Sequence, residues 1–400
     1  MEDRTFPQTT STVVMVPPLD FVDAVLQKED HDKELAFRMA QKAQQEWDES
    51  VRILRQEGVN VLTLEYPPNN SLFLSISPKD QPSSSETPNS GLQTPNNESK
   101  PQAVFCNNWM TTHGDGTLIV YPMKQPERRR ETHLLPFVQQ LLVGHGFNIR
   151  NMLRIGQLDD PTHFLEGTGS MVFDHSHKVI YVCKSPRTSF RQLNNFMEVT
   201  RHFKRAVLFR GRNEQGQDIY HTDILLSIGE RFAVFAAECV PEELDEGESK
   251  LFATREEVLK ELETEGKRKV ILLSSEQVNK YFCGNILQLR VDVEGEKKKK
   301  KKNRNKKKKK RQKRIVVMSR TAYNHFSTEQ LKQLEEFGGK LVVLPLETIE
   351  KYGEGSARCI LLECFLPNKE DPYLNIQRWL PDEAFTDEAE RKGEKEPEGP

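Results

Sequence analysis

Short apolar runs recur along this chain, and each is a strand's length rather than a long helix's. Val13–Val16, Val59–Leu64 and the stretches 118–122, 171–174, 178–183, 206–210, 269–273, 286–293, 315–318, 340–344 and 358–365 read as strands. Ile224–Ile228 and Phe232–Ala237 read as a hairpin turning near Gly229-Glu230. Helical periodicity fills the intervals at 30–57, 131–143, 189–203, 254–265, 275–282 and 327–337. The first is the sharpest: Ala36, Ala40, Ala43, Trp47, Val51 and Leu54 share one face, and Gly58 can end it. Alternation of this kind specifies an α/β fold, and the hairpins exclude a simple parallel sheet. No repeat is visible residue by residue.

Three stretches break the pattern. Residues 78–101 are rich in Ser, Pro and Asn and hold too little apolar surface to offset the entropy of ordering them. Residues 297–314 read KKKKKKNRNKKKKKRQKR, with 15 of 18 basic, and are expected to be an extruded loop. Residues 382–400 form a charged tail. A single domain over 12–77 and 102–381 is the expected organisation, interrupted by these disordered segments. The overall charge of −2 conceals an acidic body of 43 basic and 60 acidic residues outside the basic run. An acidic body is not a nucleic-acid surface. The basic run itself reads as an anion-binding or nuclear-import segment, or as a low-complexity expansion.

No stretch approaches the roughly 20 apolar residues of a membrane span. The opening MEDRTFPQTTST is not expected to be a secretory signal. Six cysteines, at 106, 183, 239, 283, 359 and 364, form neither a disulfide framework nor a zinc pattern, so reduced thiols in a cytoplasmic setting are expected. The common phosphate-loop, zinc-protease and serine-hydrolase motifs are missing. His175 and His177 beside Asp174 suggest a polar turn between strands more than a metal site.

Four stretches carry side chains suited to chemistry: FCNNW at 105–109, LEGTGS at 165–170, YHTD at 220–223 and YGEGSARC at 352–359. With YPM at 121–123, ERRRE at 127–131 and SPRTS at 185–189, their order resembles the arginine-deiminase-like superfamily. Those deiminases, dimethylarginine hydrolases and amidinotransferases share the five-bladed α/β propeller called the pentein fold. The nearest resemblance is to arginine-deiminase-related proteins that include citrulline hydrolases.

The resemblance implies a thiol hydrolase of non-peptide C–N bonds in a guanidino or ureido amino acid, citrulline or arginine, without metal or organic cofactor. It implies Cys359 as nucleophile, His221 as acid and base, and Glu166 as the carboxylate that orients substrate nitrogens. Asn108 and Asp223 would hold the reacting group, and Arg187 and Arg130 the substrate carboxylate. An amidinotransferase using the same thiol step, or an inactive binding protein on the same fold, would keep these residues. Three positions depart from the family pattern: Cys106 stands for Pro, Asp223 for Asn, and Glu354 splits a glycine run. Glu354 would be strained if its loop needs positive φ.

Overall fold

The computed structural model describes residues 6–29, 32–65, 100, 102–156, 162–248, 250–293 and 311–368. These form five three-stranded sheets. In chain order the strands are β1 (Thr12–Met15), β2 (Asn60–Thr63), β3 (Met110–Thr112), β4 (Thr117–Val120), β5 (Asn151–Arg154), β6 (Met171–Asp174), β7 (Val179–Lys184), β8 (Arg205–Arg210), β9 (Leu226–Ile228), β10 (Phe232–Phe235), β11 (Lys269–Leu272), β12 (Leu287–Val293), β13 (Arg311–Ser319), β14 (Lys340–Leu344) and β15 (Leu362–Glu363).

Every sheet repeats one plan: an antiparallel hairpin, a helical crossover, then a strand parallel to the hairpin's second member. A parallel pair needs such a crossover, because its ends lie at opposite edges of the sheet. Four modules are continuous in sequence. The fifth is assembled from both ends of the described chain, with β1 antiparallel to β15 and parallel to β2. The architecture is therefore the five-bladed α/β propeller implied by the family resemblance. The repeat resides in topology rather than residue identity.

The first crossover contains Lys33–Gln56, capped by the Asp32 carboxylate, which accepts the Leu35 N–H at 2.9 Å. Its alanine and Trp47 stripe is buried as expected. From that buried face Glu46 accepts the N–H groups of Thr348 and Ile349 at 2.9–3.1 Å. These open the helix Glu347–Gly353, which periodicity did not reveal. A carboxylate meeting the first turn satisfies donors that have no partner within the helix.

The inner strands β3, β6, β9, β12 and β15 share a further feature: a tight turn precedes each. Gly167–Ser170 and Thr222–Leu225 are one-turn helices leading into β6 and β9, so the predicted strand from Ile224 starts later. Before β15 the Cys359 N–H donates to Ser356 C=O at 3.0 Å and Leu361 N–H to Arg358 C=O at 3.3 Å. The predicted strand 358–365 thus shrinks to Leu362–Glu363: its apolar run reports burial of a turn, not an extended backbone.

Two predicted segment boundaries also move. Arg311–Arg314, inside the basic run, belong to β13 and pair in register with Val293–Arg290 of β12. Lys100, at the edge of the first insert, is buried, and its N–H donates to Asp20 at 2.9 Å. Residues 78–99, 297–310 and 369–400 lie outside the described residues. The His-Ser-His stretch forms the turn between β6 and β7. There Asp174 meets the buried Arg268 through two bonds of 2.6 and 2.9 Å and also accepts from His177. That bidentate pair spans two modules.

Glu354, following Gly353, has φ 62° and ψ 29°, a left-handed conformation that favours glycine. Its carbonyl accepts the Tyr220 hydroxyl at 2.9 Å, and its exposed carboxylate meets Lys28 at 2.7 Å. An exposed ion pair contributes little, whereas relief of left-handed strain is worth about 1 kcal/mol. Glu354→Gly is expected to raise stability by about 0.5–1 kcal/mol. Chemical denaturation reads this directly, and a loss of stability would show the Lys28 contact to outweigh the strain.

Candidate active site

The turns preceding the inner strands converge on a narrow cavity with room for about 20 Å³. Asn108 comes from the turn before β3, His221 and Asp223 from that before β9, Asn285 from that before β12, and Cys359 from that before β15; all line the cavity. Glu166, from the turn before β6, stands behind His221. Glycine makes this convergence sterically feasible. A Cβ at Gly284 would lie 1.9 Å from the Ile224 carbonyl oxygen. One at Gly169 would lie 2.5 Å from Asn108 Nδ2 and 2.9 Å from His221 Nδ1.

Cys359 is 6% exposed. Its Sγ lies 3.6 Å from Asp223 Oδ2 and 3.3 Å from Asn285 Nδ2. Burial pushes the thiol well up, and the neighbouring Asp223 carboxylate acts in the same direction. Burial likewise raises Asp223. Asn107 Nδ2 donates to Asp223 Oδ2 at 3.3 Å, while Oδ1 is buried without a partner.

Glu166 is fully buried and does not itself line the cavity. It lies 2.7 Å from His221 Nε2, 3.3 Å from Arg187 Nη1 and 3.0 Å from the Lys124 N–H. Burial raises this carboxyl, but His221, Arg187 and Arg128 outweigh it and bring it down to about 2. It is consequently ionised at neutral pH. The sequence reading gave Glu166 the substrate's nitrogens; the geometry gives it His221.

Arg187 lines the cavity, with its guanidinium carbon 4.7 Å from the centre of the Tyr220 ring. Arg130 does not line it. From the same basic run, Arg128 does, because an Arg128–Glu131 pair with bonds of 2.8 and 3.0 Å is buried one turn along. Arg128 Nη1 also donates to Asn108 Oδ1 at 2.9 Å. A guanidinium can only donate, so the Asn108 oxygen must face it. The amide nitrogen is left buried without a partner. Sequence reasoning missed Arg128 and Asn285: the former hides within ERRRE, and the latter carries no reactive group.

Among the described residues, no group of three or more His, Cys, Asp or Glu side chains is arranged to hold a metal. No described helix is long and apolar enough to cross a membrane.

Several solved structures share this fold. The N-terminal domain of ArgZ, an arginine dihydrolase from the ornithine-ammonia cycle in Cyanobacteria, was solved as a cysteine-to-serine mutant bound to substrate. It is 15% identical, with 88% of this chain and 97% of that one covered at a TM-score of 0.53. AgrE, in a cysteine-to-alanine mutant complex with L-arginine, is 16% identical, with 90% of this chain and 41% of AgrE covered at 0.53. The dimethylarginine hydrolase DDAH of Pseudomonas aeruginosa, as a cysteine-to-serine mutant with citrulline, is 12% identical, with 90% and 100% covered at 0.51. No curated protein matches the chain. The family model described as N,N dimethylarginine dimethylhydrolase, eukaryotic, matches residues 91–366. With that match and its five-module propeller, the chain belongs to the eukaryotic dimethylarginine dimethylhydrolase family of the pentein superfamily.

Proposed function

We propose that this protein hydrolyses the terminal C–N bond of a ureido or guanidino amino acid through a covalent adduct on Cys359, with the ureido substrate preferred. The observation that carries the preference is the pair of unpartnered buried atoms on the cavity-lining residues Asn108 and Asp223: the Nδ2 donor of one and the Oδ1 acceptor of the other. A buried polar atom without a partner costs about 1–3 kcal/mol. A ligand with both an acceptor and donors satisfies the two together. A ureido group has a carbonyl oxygen and N–H groups, whereas a guanidinium has donors alone. The guanidino reading retains one support of its own, since a cation would offset the carboxylate that Asp223 places beside the thiol.

In this reading the Cys359 thiolate attacks the ureido carbon, forming the C–S bond while electrons move onto oxygen. Asn108 Nδ2–H stabilises that oxygen as its charge grows. Return of the electrons expels ammonia, which takes a proton from His221 and leaves an S-carbamoyl adduct. Water, deprotonated by His221, then displaces the thiolate and yields a carbamate that loses carbon dioxide. With Nε2–H directed at Glu166, Nδ1 is the ring nitrogen that exchanges the proton. Arg187 at the cavity wall takes the substrate carboxylate.

Cys359→Ser is expected to lower kcat by roughly a thousandfold or more while the fold is kept, because a hydroxyl here has no base tuned to it. Ammonia release from citrulline, arginine and dimethylarginine tests this, and turnover near wild type would remove Cys359 from the reaction.

Asn108→Asp converts the donor into an acceptor beside the same Arg128. The ratio of kcat/KM for arginine to that for citrulline is expected to rise by about ten- to a hundredfold, the worth of one charge-assisted hydrogen bond. A ratio unchanged within about twofold would mean that Asn108 does not read the substrate's charge.

A further inference from the structure

The propeller gives the site one contribution from each module, and four of them match motifs already singled out in the sequence. The remaining contribution, from the turn before β12, is Asn285. It is 1% exposed and lines the cavity. Gly284 brings it there, since any side chain at 284 would strike the Ile224 carbonyl.

The orientation of the Asn285 amide follows from its neighbours. Its Oδ1 accepts the Arg358 N–H at 3.0 Å, and its Nδ2 donates to the Asp223 carbonyl at 3.2 Å. A backbone N–H only donates and a carbonyl only accepts, so the amide cannot be reversed without losing both bonds. This leaves the second hydrogen of Nδ2 for the Cys359 sulfur at 3.3 Å, while the protonated thiol donates to Oδ1 at 3.5 Å, a bond given up on ionisation. The Asp223 carboxylate, the Tyr220 hydroxyl and the Arg128 guanidinium bear on that sulfur from outside its own turn, and His221 and Arg187 line the same cavity. Arg358 is its neighbour within the turn. Among the described residues, Asn285 Nδ2 is the side-chain donor that reaches Sγ. Asp223 opposes a negative sulfur, and Asn285 supports one.

We propose that Asn285 is a further catalytic residue, whose Nδ2–H stabilises the Cys359 thiolate while its bonds to the Arg358 N–H and the Asp223 carbonyl fix the spacing of the Cys359 and Asp223 turns. A sulfur that has released its proton to solvent is a stronger acceptor than the thiol, so the hydrogen bond favours ionisation. The proposal rests on the reading of Cys359 as nucleophile.

The test measures alkylation of Cys359 by iodoacetamide against pH, followed on its peptide by mass spectrometry in the full chain. The thiolate attacks carbon, the S–C bond forms and iodide leaves, so the rate follows the ionised fraction. Wild type is compared with Asn285→Ala. The midpoint is expected to rise by about one pH unit in the variant, which is about tenfold slower alkylation on the acid side of the curve. An unchanged midpoint overturns the proposal, because a merely structural amide would lower thermal stability without moving it. If Asn285→Ala does not fold, Asn285→Ser supplies the same comparison: its hydroxyl keeps a local polar group but stops short of the sulfur. The two readings fail separately. Full turnover by Cys359→Ser would refute the nucleophile and leave the alkylation shift standing. An inactive Cys359→Ser with an unmoved midpoint would refute Asn285 alone.

Discussion

The antiparallel pairing of β1 with β15 is the constraint on which the propeller and its cavity depend. Val13 opposes Glu363 and Val14 opposes Leu362, so the two ends of the described chain share one sheet. Thr10 Oγ1 donates to the Cys364 carbonyl at 2.6 Å, and the Cys364 N–H donates to Thr12 C=O at 2.9 Å. These contacts close a loop of nearly the whole protein, a cost in chain entropy that grows slowly with length. They also fix the turn immediately before β15, which holds Cys359. Closure of the ring and placement of the sulfur are thus coupled: the β1 pairing and the Asn285 bond to the Arg358 N–H together hold the fifth turn beside the other four.

Charge at the centre is arranged so that little is left over. Glu131 is matched by Arg128, and Glu166 by His221 and Arg187. Buried carboxylates remain ionised only when paired or well hydrogen-bonded, and Glu166 shows this by ionising far below its ordinary range. Burial raises Glu131 despite its partner, and among the described residues Asp223 lacks a hydrogen-bonded cation altogether. It has one neutral amide on Oδ2, none on Oδ1, and burial holds it above the usual carboxylate range. The unfilled hydrogen-bonding capacity of the cavity therefore sits beside the sulfur, on Asp223 and Asn108, where a ligand's polar end would be held.

The sequence carried the strand positions well, because a strand buried on both faces needs a short apolar run and little else. Lys340–Leu344 falls where periodicity put it, and β1, β2, β6, β7 and β8 lie within a residue or two of their expected bounds. It carried the turns poorly. The run from Cys359 to Leu362 is apolar because it is buried, and burial alone does not distinguish a turn from a strand. Glu347–Gly353 escaped notice because its first turn is satisfied by Glu46, some three hundred residues away in sequence. In ERRRE, three successive arginines offer the same chemistry, and only the i,i+3 pairing with Glu131 selects Arg128 as the inward one. Cys359, His221, Asp223, Asn108 and Arg187 were legible because their motifs are ordered along the chain. Asn285 was not, since its importance lies in a position equivalent to theirs by topology.

The departures from the family pattern separate in the same physical terms. Cys106 is fully buried, with Val14 and Ile360 carbonyls 3.6 and 3.7 Å from its sulfur, and burial pushes its thiol up to about 12. It packs against those carbonyls and does not line the cavity. Glu354 is held in a left-handed turn that Tyr220 and Lys28 both grip, so its cost falls on stability and on the shape of the cavity wall. Asp223 bears on the chemistry itself. Its carboxylate lies near the sulfur and raises the thiol further than burial alone does. A ligand that donates a hydrogen bond to Oδ1 spreads that charge away from the sulfur, so occupancy and ionisation are coupled. The same carboxylate that restrains Cys359 would thus release it when a ligand's donor engages Oδ1.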